Sequence, residues 1–233
     1  MFADMGVKSD MNRRYGLIVF DWEGTLGDTF GIILNTVAAV AKRLQLGELD
    51  EQLARQYIVL GLVVTVKKLF PHLSTHQHEQ LIQAIQQSLV SNMTECCLIP
   101  GAKVIIQQIQ QAGIDLAIAT NRGPHSLKRA LRASGLDVYF TITRSAGQSP
   151  AKPCPQMLEE IMAAFGATAS QTLMVGDSVS DMEMASQIGV DAVGVDFYHQ
   201  QAANLLAAGA LDVFDDYRQL AKYLQLPELN FTA

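Results

Sequence analysis

The chain has 233 residues, 49% of them hydrophobic, and a formal net charge of −6. That length suits one large domain, or a core with a smaller lobe, around a substantial packed interior. The acidic balance, with no basic cluster beyond Asn12-Arg13-Arg14, speaks against a nucleic-acid partner, and three cysteines (Cys96, Cys97 and Cys154) do not make a disulfide framework.

Residues 1–14 read as a mobile leader without the apolar stretch of a secretory signal. The most apolar run, 58–66, is far too short to span a bilayer. A cytoplasmic location with reduced thiols is therefore expected, with no membrane partner, and the sequon Asn230-Phe231-Thr232 is read as chance. A strand is expected over 15–20. From 29 to 44 the residues Phe30, Ile33, Leu34, Val37, Val40 and Ala41 recur at helical spacing, and Gly47 ends that helix. Residues 49–91 carry further helical patterns and no strand. Within them Ser74 and Gln77 form a capping box that opens a helix over 77–89. Beyond Pro100-Gly101 the pattern alternates. Helices are expected over 102–112, 124–133, 155–165 and 181–188, and strands over 114–119, 139–142, 172–175, 192–195 and 212–214. Such alternation implies parallel strands with right-handed helical crossovers. The expected fold class is α/β: a three-layer core of residues 1–28 and 98–233, with an all-helical lobe of 29–97 inserted after the first strand.

Four polar groups fall at the C-terminal ends of the expected strands or beside a helix start, where open α/β sheets bind ligands. They are Asp21-Trp22-Glu23-Gly24-Thr25, Thr120-Asn121, Lys152-Pro153-Cys154-Pro155 and Gly176-Asp177-Ser178-Val179-Ser180-Asp181. Carboxylates at such a place are costly to desolvate unless a cation or donors meet them, so the first group calls for a metal ion or a catalytic role.

In order and spacing, across 17–216, these segments resemble the four motifs of the haloacid dehalogenase-like (HAD) hydrolase superfamily. The stretch 58–71, with Gly61-Leu62 and Leu69-Phe70-Pro71, is similar to a cap segment of phosphoglycolate phosphatase-like members. The resemblance implies a Rossmann-like HAD core with a helical cap hinged near 27–31 and 97–101. It also implies a Mg²⁺-dependent phosphatase for a small phosphorylated metabolite, phosphoglycolate-like or a sugar phosphate. Asp21 would be the nucleophile of an aspartyl-phosphate mechanism, and Glu23 the general acid and base. The metal would be held by Asp21, the main-chain carbonyl of Glu23 and Asp177, with Asp181 supporting. Thr120 and Lys152 would donate to the phosphoryl oxygens, as would backbone N–H groups after Gly24, at Thr25, and after Thr120, while Asn121 donates through its backbone or orients its loop.

The chain departs from the family pattern at Glu23, where phosphatases carry aspartate. The carboxylate stands one methylene further out, about 1.5 Å. An acid here fits neither the dehalogenases nor the phosphonate-cleaving members. It leaves open a phosphomutase or phosphotransferase on the same core, or a catalytically weak regulatory homologue. Arg122 and His125 read equally as substrate contacts or as a solvated helix start. His72, His76 and His78 read as a polar loop, and Arg43, Arg55, Lys67 and Lys68 mostly as surface charges. Asp215-Asp216 reads as an exposed turn.

Overall fold

The computed structural model describes residues 14–58, 60–91 and 97–227. Most of the leader, Cys96 and the sequon at 230 lie outside that set. Six parallel strands form one sheet in the order β3-β2-β1-β4-β5-β6: β1 (Leu17–Phe20), β2 (Asp115–Thr120), β3 (Ile142–Ser145), β4 (Thr172–Gly176), β5 (Asp191–Val195) and β6 (Val213–Phe214). β1 is central and wholly buried, which is why Leu17-Ile18-Val19-Phe20 is an unbroken apolar run rather than an alternating one. Its side chains still alternate in direction. Ile18 and Phe20 join the core beneath α5 (Ala102–Gln111), α6 (Pro124–Ser134) and α10 (Tyr217–Tyr223), whereas Leu17 and Val19 join that beneath α7 (Gln156–Phe165), α8 (Val179–Ser186) and α9 (Ala202–Ala207). The three expected layers are present.

Between β1 and α5 the chain makes four helices: α1 (Thr29–Arg43), α2 (Glu51–Ile58), α3 (Leu62–Leu69) and α4 (Thr75–Ser91). They have their own apolar centre, in which Val37, Val40 and Ala41 meet Val66, Phe70, Leu81 and Ile85. Ser74 and Gln77 close the capping box, with Gln77 N–H donating to Ser74 Oγ at 3.3 Å and Ser74 N–H to Gln77 Oε1 at 2.9 Å. That box starts α4 early enough to place His76 and His78 on the helix rather than in a polar loop. His78 is buried, with its Nε2 2.9 Å from the Phe70 carbonyl oxygen.

Several boundaries move by a residue or two from expectation, and three differences have a clear physical reason. β3 runs over Ile142–Ser145 rather than 139–142, because Phe140 is drawn into the core before the strand begins and the pairing residues are polar. α8 starts at Val179, since Ser178 caps it. Asp216 is not in a plain turn: its side chain caps α10 by accepting from Arg218 N–H at 2.6 Å.

α1 begins directly beyond the β1 loop. Its N-cap, Asp28, accepts from Gly31 N–H at 2.7 Å and from the Tyr198 hydroxyl, which ties the helix start to the loop after β5. Asp28→Ala removes both bonds and should lower the unfolding free energy by about 1–2 kcal/mol, read from urea denaturation.

Candidate active site

The strand order reverses direction at β1, between β2 and β4. The crevice outside the carboxyl ends of those strands is where such sheets bind ligands. Asp21 follows β1 directly, Thr120 is the last residue of β2, and Asp177 follows the last residue of β4. The Asp21 N–H donates to the Val175 carbonyl at 2.9 Å, which carries the parallel pairing one step past the strand and fixes the carboxylate at the sheet's edge.

Lys152 stands at the centre. Its Nζ lies 2.5 Å from Asp21 Oδ1 and 2.6 Å from Asp181 Oδ1, and the three residues are 7%, 5% and 0% exposed. Asp181 faces two ways. Its other oxygen accepts from Ser178 Oγ at 2.6 Å and Ser178 N–H at 3.1 Å, so the first turn of α8 braces the carboxylate that braces the lysine. Asn121 accepts from the Lys152 N–H at 2.8 Å, fixing the lysine's loop against the end of β2.

Carboxylate oxygens of Asp21, Asp177 and Asp181 lie within 4.8 Å of one another. Three carboxylates against one ammonium leave a local charge of about −2 in a desolvated place. Burial pushes the Asp21 carboxyl up to about 6, against the pull of Lys152. Burial, then the charges of Asp21 and Asp181, hold Asp177 well above the usual carboxylate range. Burial alone would lower Lys152, but its two acidic partners raise it above the ordinary lysine range. Hard oxygen donors with excess negative charge fit a divalent cation.

The loop after β1 is shaped for this. Gly24 has φ +72°, and a Cβ there would lie 2.1 Å from Asp177 Oδ2, so only glycine lets the turn pass so close. Its N–H donates to the Gly27 carbonyl at 2.9 Å, and the Thr25 hydroxyl donates to Asp177 Oδ1 at 3.2 Å. The Gly24 N–H is thus used inside the turn, and the Thr25 hydroxyl ties the turn to Asp177. The phenol of Tyr217 donates to the Thr25 carbonyl at 2.5 Å and ties α10 to the same loop.

The Glu23 side chain lies apart from the acidic cluster. One oxygen pairs with the Arg122 guanidinium and the other accepts from the Thr29 hydroxyl. Arg122 is held in turn by Ser126 Oγ, 2.8 Å from its Nε, and its N–H donates to Thr120 Oγ1 at 3.2 Å. The open reading of Arg122 therefore resolves as a partner of Glu23. The extra methylene of glutamate is what reaches it. Its sequence signal was its place two residues past the β2 end.

Lys152→Met should expose how the cluster is balanced. Removing the cation buried between them leaves Asp21 and Asp181 uncompensated, and about 3–5 kcal/mol of stability should be lost. Thermal unfolding with chelator and then with excess divalent cation should show that loss partly restored.

The family model for haloacid dehalogenase-like hydrolases matches residues 18–195. A phosphoglycolate phosphatase from Mesorhizobium japonicum is 30% identical over 189 residues, covering 78% of this chain and 82% of that protein. One from Mannheimia succiniciproducens is 26% identical over 222 residues, covering 91% and 99%. Among solved structures, a HAD family hydrolase from Deinococcus radiodurans with bound phosphate and sodium superposes with a TM-score of 0.66 at 20% identity, covering 94% of this chain and all of that one (100%). With its motif residues gathered at the reversal point of the sheet, the chain belongs to the haloacid dehalogenase-like hydrolase family, among its phosphoglycolate phosphatase-like phosphatases.

Proposed function

We propose that the chain is a Mg²⁺-dependent phosphatase that hydrolyses a small phosphorylated metabolite through an aspartyl-phosphate on Asp21. The observation that carries this is the buried Asp21–Lys152–Asp181 bridge beside Asp177. Phosphoryl transfer needs positioning and charge stabilisation more than covalent chemistry from the protein, and this cluster supplies both. Lys152 grips one oxygen of Asp21 and orients the carboxylate for in-line attack. An Asp21 oxygen forms the new bond to phosphorus while the ester P–O bond breaks, and Glu23, once it has left Arg122 and Thr29 and taken up a proton, gives that proton to the departing oxygen. Glu23 then takes a proton from water as that water attacks phosphorus. The bond to Asp21 breaks, phosphate leaves and the carboxylate is restored.

Mg²⁺ would be held by Asp21, Asp177 and the Glu23 main-chain carbonyl, with Asp181 behind, and supplies neutralisation of the approaching phosphate dianion. Thr120, buried at the end of β2, donates its hydroxyl to a phosphoryl oxygen, and the turn at Gly24-Thr25 closes the other side. Helices α1–α4 form a cap over residues 29–97 that excludes water and selects substrate.

The test is phosphate release from a panel of phosphorylated metabolites, phosphoglycolate and sugar phosphates included, with Mg²⁺ and Asp21→Asn as the blank. Free phosphate from the parent chain and none from the variant is the expected result. An isomerised sugar phosphate would make it a mutase, and failure to bind beryllium fluoride with Mg²⁺ would make it a non-catalytic homologue. Glu23→Gln should lower kcat by about 10²–10⁴-fold, the usual worth of a positioned acid–base group, while leaving aspartyl–beryllium fluoride formation intact.

A further inference from the structure

A cavity of about 500 Å³ opens beside Gly24 and Asp177, between the cap and the loop after β5. Phe30 and Leu60 line it from the cap side, and Val179, Phe197 and Tyr198 from the core. The Phe30 and Tyr198 rings meet edge to face with centroids 5.1 Å apart, and Tyr198 is anchored by its hydroxyl on Asp28. Those walls are therefore set before any ligand arrives.

The cavity's charge is of one sign. Asp177 and Asp196 line it, and no lysine or arginine stands among its described lining residues. Gln200 and Gln201 add neutral amides at the rim. Asp196 accepts from the N–H groups of Gln200, Gln201 and Ala202 at 2.8 to 2.9 Å, which fixes that rim. Arg122 lies past β2, on the opposite side of β1 from β4 and β5, and is engaged by Glu23 and Ser126.

We infer that the substrate's leaving alcohol carries an uncharged, flat apolar body that fills this cavity, rather than a second anionic group such as a carboxylate. This rests on the phosphatase reading of the adjoining site. Away from Asp177 and the cation it would hold, a carboxylate in the cavity would face Asp196 and apolar walls with no lysine or arginine among the described lining residues to meet it, while an aromatic ring would find aromatic and aliphatic walls and keep its edge for the glutamine amides.

The experiment compares kcat/KM of the full chain with Mg²⁺ for 2-phenylethyl phosphate and phosphoglycolate, both esters of primary alcohols, with p-nitrophenyl phosphate as a general reporter. The phenylethyl ester should be preferred by about ten-fold or more, the scale on which an apolar pocket discriminates. Leu60 is 54% exposed, so Leu60→Arg should fold normally. It places a cation at the cavity and should shift the ratio toward phosphoglycolate by about ten-fold or more. Asp21-dependent release from p-nitrophenyl phosphate with phosphoglycolate equal or better, or a ratio unmoved by Leu60→Arg, overturns this inference and leaves the phosphatase reading standing. No Asp21-dependent release from any ester overturns the phosphatase reading, and this inference falls with it.

Discussion

One ammonium group between two carboxylates holds the site in being. Lys152 is nearly inaccessible, and so are Asp21 and Asp181. None of the three could stay charged there alone, because a desolvated unpaired ion costs several kcal/mol. Together they fix where the end of β1, the loop after β3 and the start of α8 must meet. The sheet supplies the approximate placement, and the bridge sets the final geometry.

The same bridge explains the packing around it. A Cβ at Gly176 would lie 2.4 Å from the Asp181 carboxyl carbon, so the end of β4 has to be glycine for that carboxylate to come so near. Asn121 and Gln187 fasten the lysine's loop from two directions, through the Lys152 N–H and the Pro153 carbonyl. Each of these neighbours touches no reacting atom, yet each narrows the freedom of one that does. The departure at Glu23 is read in the same way. The longer side chain is not loose: two donors from different elements, Arg122 and Thr29, hold its two oxygens.

Much of this was legible in the sequence, for reasons that can be named. Leu17-Ile18-Val19-Phe20 and Thr172-Leu173-Met174-Val175 are short apolar runs that end in carboxylates, and a parallel sheet puts all such ends on one edge. That placed Asp21, Thr120 and Asp177 together before any coordinates. β3 was shifted because an edge strand need not be apolar: Arg144 pairs with Glu160, and Ser145 Oγ donates to Gln148. α9 and α10, of 6 and 7 residues, are too short for periodicity to declare them. The Arg122–Glu23 pair joins positions 99 apart, and no local pattern links a guanidinium at a helix start to a distant acid. Nor did the residue types reveal that the Gly24 N–H is taken up within the turn and the Thr25 hydroxyl by Asp177.

The order of the strands also governs how the polypeptide matures. β1 emerges early, but its two neighbours begin only at Asp115 and Thr172, so one of its hydrogen-bonding edges waits for β2 and the other stays open until β4 is made. The helices of 29–91 close among themselves with contacts local to that stretch. They can therefore form before the sheet does. The last carboxylates of the acidic cluster, Asp177 and Asp181, arrive with the end of β4 and the start of α8, so a nascent chain shorter than that has no assembled acidic pocket.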